Sequence, residues 1–316
     1  MVYSSKIARL RDRAFMLKEA RTFFDQLDIK EVDCPLLTVH ASVDSHIDLI
    51  PALYNQKETR YLHSSPEYGM KRLLAEGIGD IFQLTHVFRN GEWSTKHNPE
   101  FMMAEWYRLG ITFETMIDET VQFIRLFLGD LPYSIISYRD AFLRYAGIDY
   151  LTMSFQDLVN YIDQAGIPFY PSAVEEGKDA LLNLILGTQI EPQLGQDELC
   201  VLAYYPSSQA ALAKTRLNGQ EEVAERFEIY YQGVELSNGY HELTDVKEQK
   251  ERFKKSNQMR KMLGKEELPI DEYFLKALDK GIPDCCGVAV GFDRLMMLRQ
   301  KQKNIAEVIS WGWEFA

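Results

Sequence analysis

Residues 80–109 read DIFQLTHVFRNGEWSTKHNPEFMMAEWYRL. Two aromatic and β-branched runs flank a connection holding Gly, Ser and Asn, a pattern that predicts an antiparallel strand pair with a long loop. On the second run, period-two alternation places Phe101, Met103, Glu105 and Tyr107 on one face and Met102, Ala104, Trp106 and Arg108 on the other. A carboxylate and a phenol thus share a face with an aromatic platform, although an amphipathic strand with one exposed acid would read the same way.

A second hairpin is legible in RFEIYYQGVEL, residues 226–236. With Gln232-Gly233 as a two-residue turn, Tyr230 stands opposite Glu235, and Glu228 becomes the same-face diagonal neighbour of Glu235. Two carboxylates then converge. Like charges so placed repel unless a cation such as Mg²⁺ lies between them, typically with phosphate oxygens completing its shell. A solvated acidic hairpin fits the same letters. Asn238, Tyr240 and Glu242 follow at alternate positions, but their parity is opposite to that of Glu235, and a bulge at Asn238-Gly239 is expected to turn them inward.

Working outward, Ile7, Leu10, Ala14, Leu17 and Phe24 predict one apolar stripe on a helix from Ser5 to about Asp28. A strand, IKEVDC, follows and stops at Pro35; 38–57 reads as a polar loop, and ETRYLH as strand. Ser65-Pro66-Glu67 has a capping serine, a proline at the first helical position and an early acid, opening a helix to about Glu76. Residues 112–190 are mostly helical or mixed, a basic helix is expected at about 246–263, and CCGVAVGFDRLMMLR reads as strand then helix. This succession predicts an α+β fold, a mainly antiparallel sheet flanked by helices, as one domain over 1–316 with a mostly helical insertion at about 112–190.

Arg89 ends a strand of the first hairpin. Arg294 lies just inside the helix after Gly291, where backbone amides and the helix dipole favour anions, so two arginines near turns suit a triphosphate. Either alone also fits an ordinary surface arginine.

The formal net charge of the 316 residues is -12, a field that repels polyanions, so a nucleic-acid partner would need a local basic patch. The only such run is the helix carrying Lys247, Lys250, Arg252, Lys254, Lys255, Arg260 and Lys261, which fits a solvated face or the docking of an acidic partner. Cys34, Cys200, Cys285 and Cys286 have no CxxC spacing, so neither a zinc site nor a disulfide framework is suggested, and a reducing, cytoplasmic setting fits best. No stretch approaches a membrane span or a signal peptide. The six histidines form no metal-binding pair, and all but His97 read as packing or surface residues.

Several segments resemble one family. Arg89, Asn90, His97, Asn98, Pro99, Glu100 and Phe101 in VFRNGEWSTKHNPEF resemble motif 2 of class II aminoacyl-tRNA synthetases in its lysyl version. GVAVGFDR resembles motif 3, VDCPLL the end of motif 1, and ERFEIYYQGVELSNGYHELTD and SSPEYGMKRLL further lysyl-synthetase segments. No anticodon-binding OB-fold fits before Pro35. The shortened architecture is similar to the elongation factor P lysine ligases, and Ala289, where synthetases carry the middle glycine of GxGxGxDR, agrees with them.

The resemblance implies an ATP- and Mg²⁺-dependent ligase that activates (R)-β-lysine, or L-lysine, as an adenylate and transfers it to a lysine of elongation factor P, as a homodimer that does not charge tRNA. By position, Arg89 would hold the α-phosphate, Phe101 would stack on adenine, and Arg294 would bind the γ-phosphate. Asn90, Gly91, Glu92, His97, Asn98, Leu236 and Gly291 would complete the nucleotide site, and Glu228 and Glu235 would coordinate Mg²⁺. Glu105, Tyr107 and Glu242 would meet the lysine ammonium. Ser65, Pro66, Glu67, Asn238, Tyr240 and Ala289 would line the rest of the amino-acid pocket. One departure is Gly91, where the family has Glu to read adenine; Glu92 is next to it. Rival readings are a small-molecule amide ligase selective for lysine and a non-catalytic amino-acid sensor.

Overall fold

The computed structural model describes residues 5–40, 42–168, 173, 175–219 and 221–316. Its elements are α1 (Lys6–Gln26), β1 (Lys30–Glu31), β2 (Leu37–Thr38), β3 (Ile50–Tyr54), β4 (Glu58–Leu62), α2 (Glu67–Ala75), β5 (Ile81–Phe88), β6 (Glu100–Leu109), α3 (Phe113–Leu128) and β7 (Tyr133–Ser137). Then come α4 (Tyr138–Ala141), α5 (Phe155–Gln164), α6 (Lys178–Ile185), β8 (Leu199–Pro206), β9 (Thr215–Asn218), β10 (Glu221–Tyr231), β11 (Val234–His241), α7 (Val246–Met262), α8 (Glu272–Lys280), β12 (Cys285–Gly291) and α9 (Phe292–Arg299).

A large sheet runs β1-β5-β6-β12-β11-β10-β8-β7, with β9 added on β10. Only the outermost pairings, β1 with β5 and β7 with β8, are parallel. The hairpin at 80–109 forms with Ile81 opposite Tyr107 and Phe88 opposite Glu100. The second hairpin also forms, turning at Gln232 (φ 51°) and Gly233 (φ 65°), with Tyr230 opposite Glu235.

Alternation divides the sheet into two faces. Ala104, Trp106, Phe227, Ile229, Val288 and Val290 face a core sealed by α1, α3 and α9. Among the described residues, helices cover the opposite face only at its ends. At one end α4, α5 and α6 pack on Cys200, Leu202 and Tyr230 of β8 and β10; at the other α2, α7 and α8 pack around Ile81, Tyr107 and Cys285. The middle strands therefore floor an open trough. Within 112–190, α3 belongs to the sealed core while the later helices wall the trough.

Three expectations need correction. The buried stripe of α1 is Asp12, Arg13, Met16, Ala20 and Phe24, whereas Ile7 and Ala14 are exposed. Ion pairs of Arg13 with Asp293 and of Asp12 with Arg299 (3.0 Å) dock the helix on α9, so charge as well as the apolar spacing of Met16, Ala20 and Phe24 sets its rotation. Second, the polar loop at 38–57 contains β3, which folds back on β4 in a small sheet, β2-β4-β3. Its turn uses Asn55 and Gln56 at φ 49° and 56°, without the glycine that marks such turns in a sequence. Third, Pro66 and not Ser65 holds the capping position of α2; the Glu67 amide donates to Ser65 Oγ over 2.9 Å.

Candidate active site

Directly paired residues share a face, and here the pairings align into rows across the trough floor. One row is Glu228–Asn238–Ala289–Glu105, and the adjoining row is Arg226–Tyr240–Gly287–Tyr107. A bulge adds Glu235 to this face. Ile229 pairs with Ser237 but Tyr230 pairs with Glu235, leaving Leu236 as the extra residue. Parity changes there, which brings Glu235 to the face that carries Asn238 and Tyr240. The bulge thus sits at Leu236, not at Asn238-Gly239. Gly239 serves close packing instead: a Cβ on it would lie 2.4 Å from the Phe227 ring. Leu236 turns its side chain into the sealed core, so only its backbone can face the trough.

The wall at the β6 end is acidic. Glu105 is 2% exposed and accepts hydrogen bonds from Ser65 Oγ and Tyr107 Oη, each 2.7 Å. Burial, with Glu67 nearby, pushes its carboxyl up to about 8 despite those two donors. Glu67 is buried, with Oε1 2.5 Å from Lys71 Nζ. Lys71 also reaches Glu242 Oε2 at 2.6 Å. Burial pushes Glu242 up to about 7, with the Lys71 charge pulling the other way. Burial acts to lower the Lys71 pKa, but Glu242 and Glu67 outweigh it and raise it. Asn238 Nδ2 donates to Tyr240 Oη over 2.9 Å, leaving the buried Asn238 Oδ1 unpartnered and available to a ligand.

The β10 end gathers carboxylates and arginines. Glu228 accepts from Arg226 (2.6 Å) and from Tyr230 Oη (2.5 Å), which aims its carboxylate. Loss of water and the charge of Glu228 raise the pKa of Glu235, with Arg294 and Arg89 pulling the other way. Arg294 donates to the Glu235 carbonyl over 2.9 Å and to His97 Nε2 over 2.7 Å. Burial and Arg294 lower the His97 pKa; its Nδ1 pairs with Ser94 Oγ over 2.8 Å. The Arg89 guanidinium lies 5.2 Å from the Phe101 ring centroid and 3.7 Å from Glu92, with its buried Nε unpartnered. That orphaned donor and the paired carboxylates fit a nucleotide phosphate with Mg²⁺, since two carboxylates cannot close the cation's shell alone.

The remaining predicted residues are supporting parts. The Asn90 amide donates to Asp48 O over 2.8 Å, and Gly91 turns the loop at φ 79°. Asn98 is buried with both amide atoms used inside the protein, donating to Glu100 O (2.6 Å) and accepting from the Trp313 amide (3.0 Å). Gly291 caps α9 and Pro66 caps α2. Sequence reasoning missed Lys71, Arg226, Gly287 and Glu191. Lys71 is four residues after Glu67 and Arg226 two before Glu228, so helical and strand spacing carried the signal. Glu191 carried none. It reaches the site from the distant 191–193 turn, accepts from Tyr230 Oη (3.2 Å), and is pushed up to about 7 by burial, Glu228 and Glu235.

The family model for tRNA synthetases class II (D, K and N) matches residues 2–313. The chain is 40% identical over 318 residues to the elongation factor P–(R)-β-lysine ligase of Histophilus somni, covering 99% of this chain and 97% of that protein. It is 41% identical to the ligase of that name from Avibacterium paragallinarum, covering 99% and 98%, and 39% identical to that from Salmonella typhi, covering 98% and 96%. The chain therefore belongs to the class II tRNA synthetase family (D, K and N).

Proposed function

We infer that the chain is an ATP-dependent ligase that activates (R)-β-lysine as an aminoacyl-adenylate and transfers it to a lysine ε-amine of elongation factor P. One observation carries the reading: the row Glu105–Ala289–Asn238–Glu228 joins an acid-walled pocket to a carboxylate and arginine cluster across one continuous floor. An acidic pocket selects an amino acid bearing a second ammonium group. The names of the relatives above supply the β-lysine and the acceptor protein.

In the first step the substrate carboxylate oxygen attacks the α-phosphorus, the bond to the β-phosphate breaks, and pyrophosphate leaves. In the second, the acceptor amine attacks the acyl carbon, AMP departs, and the nitrogen loses a proton. No protein nucleophile is needed. Arg89 would stabilise the charge that develops on the α-phosphate, Arg294 would hold the γ-phosphate, and the acidic wall would fix the amino acid so that its carboxylate is in line. Glu228 and Glu235 would hold Mg²⁺, which supplies charge against the phosphate oxygens. Phe101, whose ring faces Arg89, would take the adenine, and Glu92, 3.7 Å from Arg89, would replace the family's adenine-reading acid.

The enzyme would act as a homodimer. Ile7 and Phe15 on α1 and Leu36, Leu37 and Val39 beside Pro35 are exposed apolar side chains that a second copy would cover. No helix among the described residues is long and apolar enough to cross a membrane. A cytoplasmic site of action fits the four free cysteines.

Incubation with ATP, Mg²⁺, (R)-β-lysine and elongation factor P tests the reading by intact-protein mass. A gain of one β-lysyl residue is expected. Adenylate formation without transfer would favour the small-molecule ligase, and neither activity would leave the amino-acid sensor.

A further inference from the structure

The amino-acid pocket contains a cation of its own. Lys71 is 1% exposed, its Nζ sits between Glu67 Oε1 (2.5 Å) and Glu242 Oε2 (2.6 Å), and it faces the Tyr107 and Phe274 rings at 5.9 Å. Nothing in the proposed chemistry uses it. Glu105, by contrast, has no ion-pair partner among the described residues: its hydrogen bonds come from the neutral Ser65 and Tyr107 hydroxyls, and Lys71 acts on it only through space. Three carboxylates and one ammonium leave the ionised pocket with two negative charges. Removing Lys71 would leave three, and a buried cluster of that charge must take up protons or cations.

We propose that Lys71 is a positioning residue that sets the pocket's charge, tying Glu67 and Glu242 into one unit so that the remaining two negative charges match an amino acid with two ammonium groups and disfavour one with a single ammonium. The proposal rests on the reading that Glu67, Glu105 and Glu242 line the amino-acid pocket. Geometry supports it beyond charge. Lys71 lies one turn after Glu67 on α2, so the helix itself presents the two side chains of that ion pair side by side, and Glu242 of the strand edge closes on the same ammonium. Protons compete with the ligand for this cluster, because burial already holds Glu105 and Glu242 near neutrality. The apparent affinity for lysine should therefore fall as the pH drops from about 8 toward 6.

The test compares wild type, Lys71→Met and the double variant Lys71→Met/Glu242→Gln, which removes one charge of each sign. Pyrophosphate exchange is measured with lysine, β-lysine and norleucine from pH 6 to 9, beside thermal unfolding. Lys71→Met should raise KM for the dicationic substrates by about 30-fold or more and move the midpoint of the KM–pH curve upward. The double variant should return that midpoint toward wild type even though it makes fewer contacts. A Lys71→Met protein that melts lower but keeps its KM and pH midpoint would overturn the proposal, as would a double variant that recovers nothing. Should Lys71→Met fail to fold, the double variant alone decides, and its failure to fold while Glu242→Gln folds also overturns the charge account. Wild type that ignores every dicationic amino acid would instead refute the pocket assignment itself.

Discussion

Ala289 and Glu105 stand directly opposite each other where β12 pairs with β6, so the alanine methyl rises from the trough floor beside the carboxylate of the acidic wall. On the other side of Ala289 is Asn238. A ligand lying on this floor passes over that methyl group. In α-lysine the second amine is on the carbon bearing the carboxylate, and in β-lysine it is one carbon further along, so the methyl can distinguish them. Ala289→Gly should raise kcat/KM for α-lysine more than for β-lysine, within the roughly 10- to 200-fold that one methylene-sized group can supply. An unchanged ratio in pyrophosphate exchange would reduce Ala289 to packing.

Glu235 stands at the end proposed to bind phosphate, with Arg294 on its carbonyl and Glu228 nearby. Glu235→Gln should lower kcat for adenylation by about 100-fold while leaving KM for lysine near wild type, because it alters a transition-state charge and not a pocket wall. Steady-state exchange at saturating lysine measures this. A raised KM with unchanged kcat would contradict the role.

Gly287 is held by what surrounds it. A Cβ there would lie 2.4 Å from both Glu242 Oε1 and the Tyr107 ring, and both residues are buried. Gly287→Ala should destabilise the fold by about 1–3 kcal/mol and raise KM for lysine, since relief of the clash moves the acidic wall. Chemical denaturation and exchange kinetics that both match wild type would show that the wall yields freely.

Much of this arrangement was legible in the letters. The hairpin at 80–109 and the turn at Gln232-Gly233 form as their alternation and turn residues dictate, because strand period and turn chemistry are local properties. The rotation of α1 was not legible, since the Arg13–Asp293 and Asp12–Arg299 pairs join residues nearly the whole chain apart. The bulge position was also hidden: Gly239 looks like a bulge glycine, but its lack of a side chain serves the Phe227 ring. Glu191 is brought to Tyr230 by packing of a distant turn, which no local pattern encodes. Lys71 could have been read from its four-residue spacing to Glu67, yet only the fold places Glu242 on its other side.

Glu105 gives the empty pocket a pH signature. Its carboxyl is raised from 4.5 to about 8, so the folded protein binds this proton more tightly than the unfolded chain. Its contribution to stability is therefore present below about 4.5 and is lost as the pH rises through about 8. The melting temperature of the ligand-free protein should fall across that window, and Glu105→Gln should flatten the fall. Saturating lysine should flatten it too, because a bound ammonium favours the ionised carboxylate. An identical slope in Glu105→Gln would show that another group carries the pH dependence.

The central claim is that the acidic wall and the phosphate end form one adenylating site for a dicationic amino acid. ATP–pyrophosphate exchange by the purified protein, run across (R)-β-lysine, L-lysine and the other standard amino acids with Mg²⁺, tests it most directly. Exchange should appear with the lysine-type substrates, be greatest with (R)-β-lysine, and vanish in Arg89→Ala. Exchange with none of these amino acids, or a preference for an acidic or apolar one, would contradict the account.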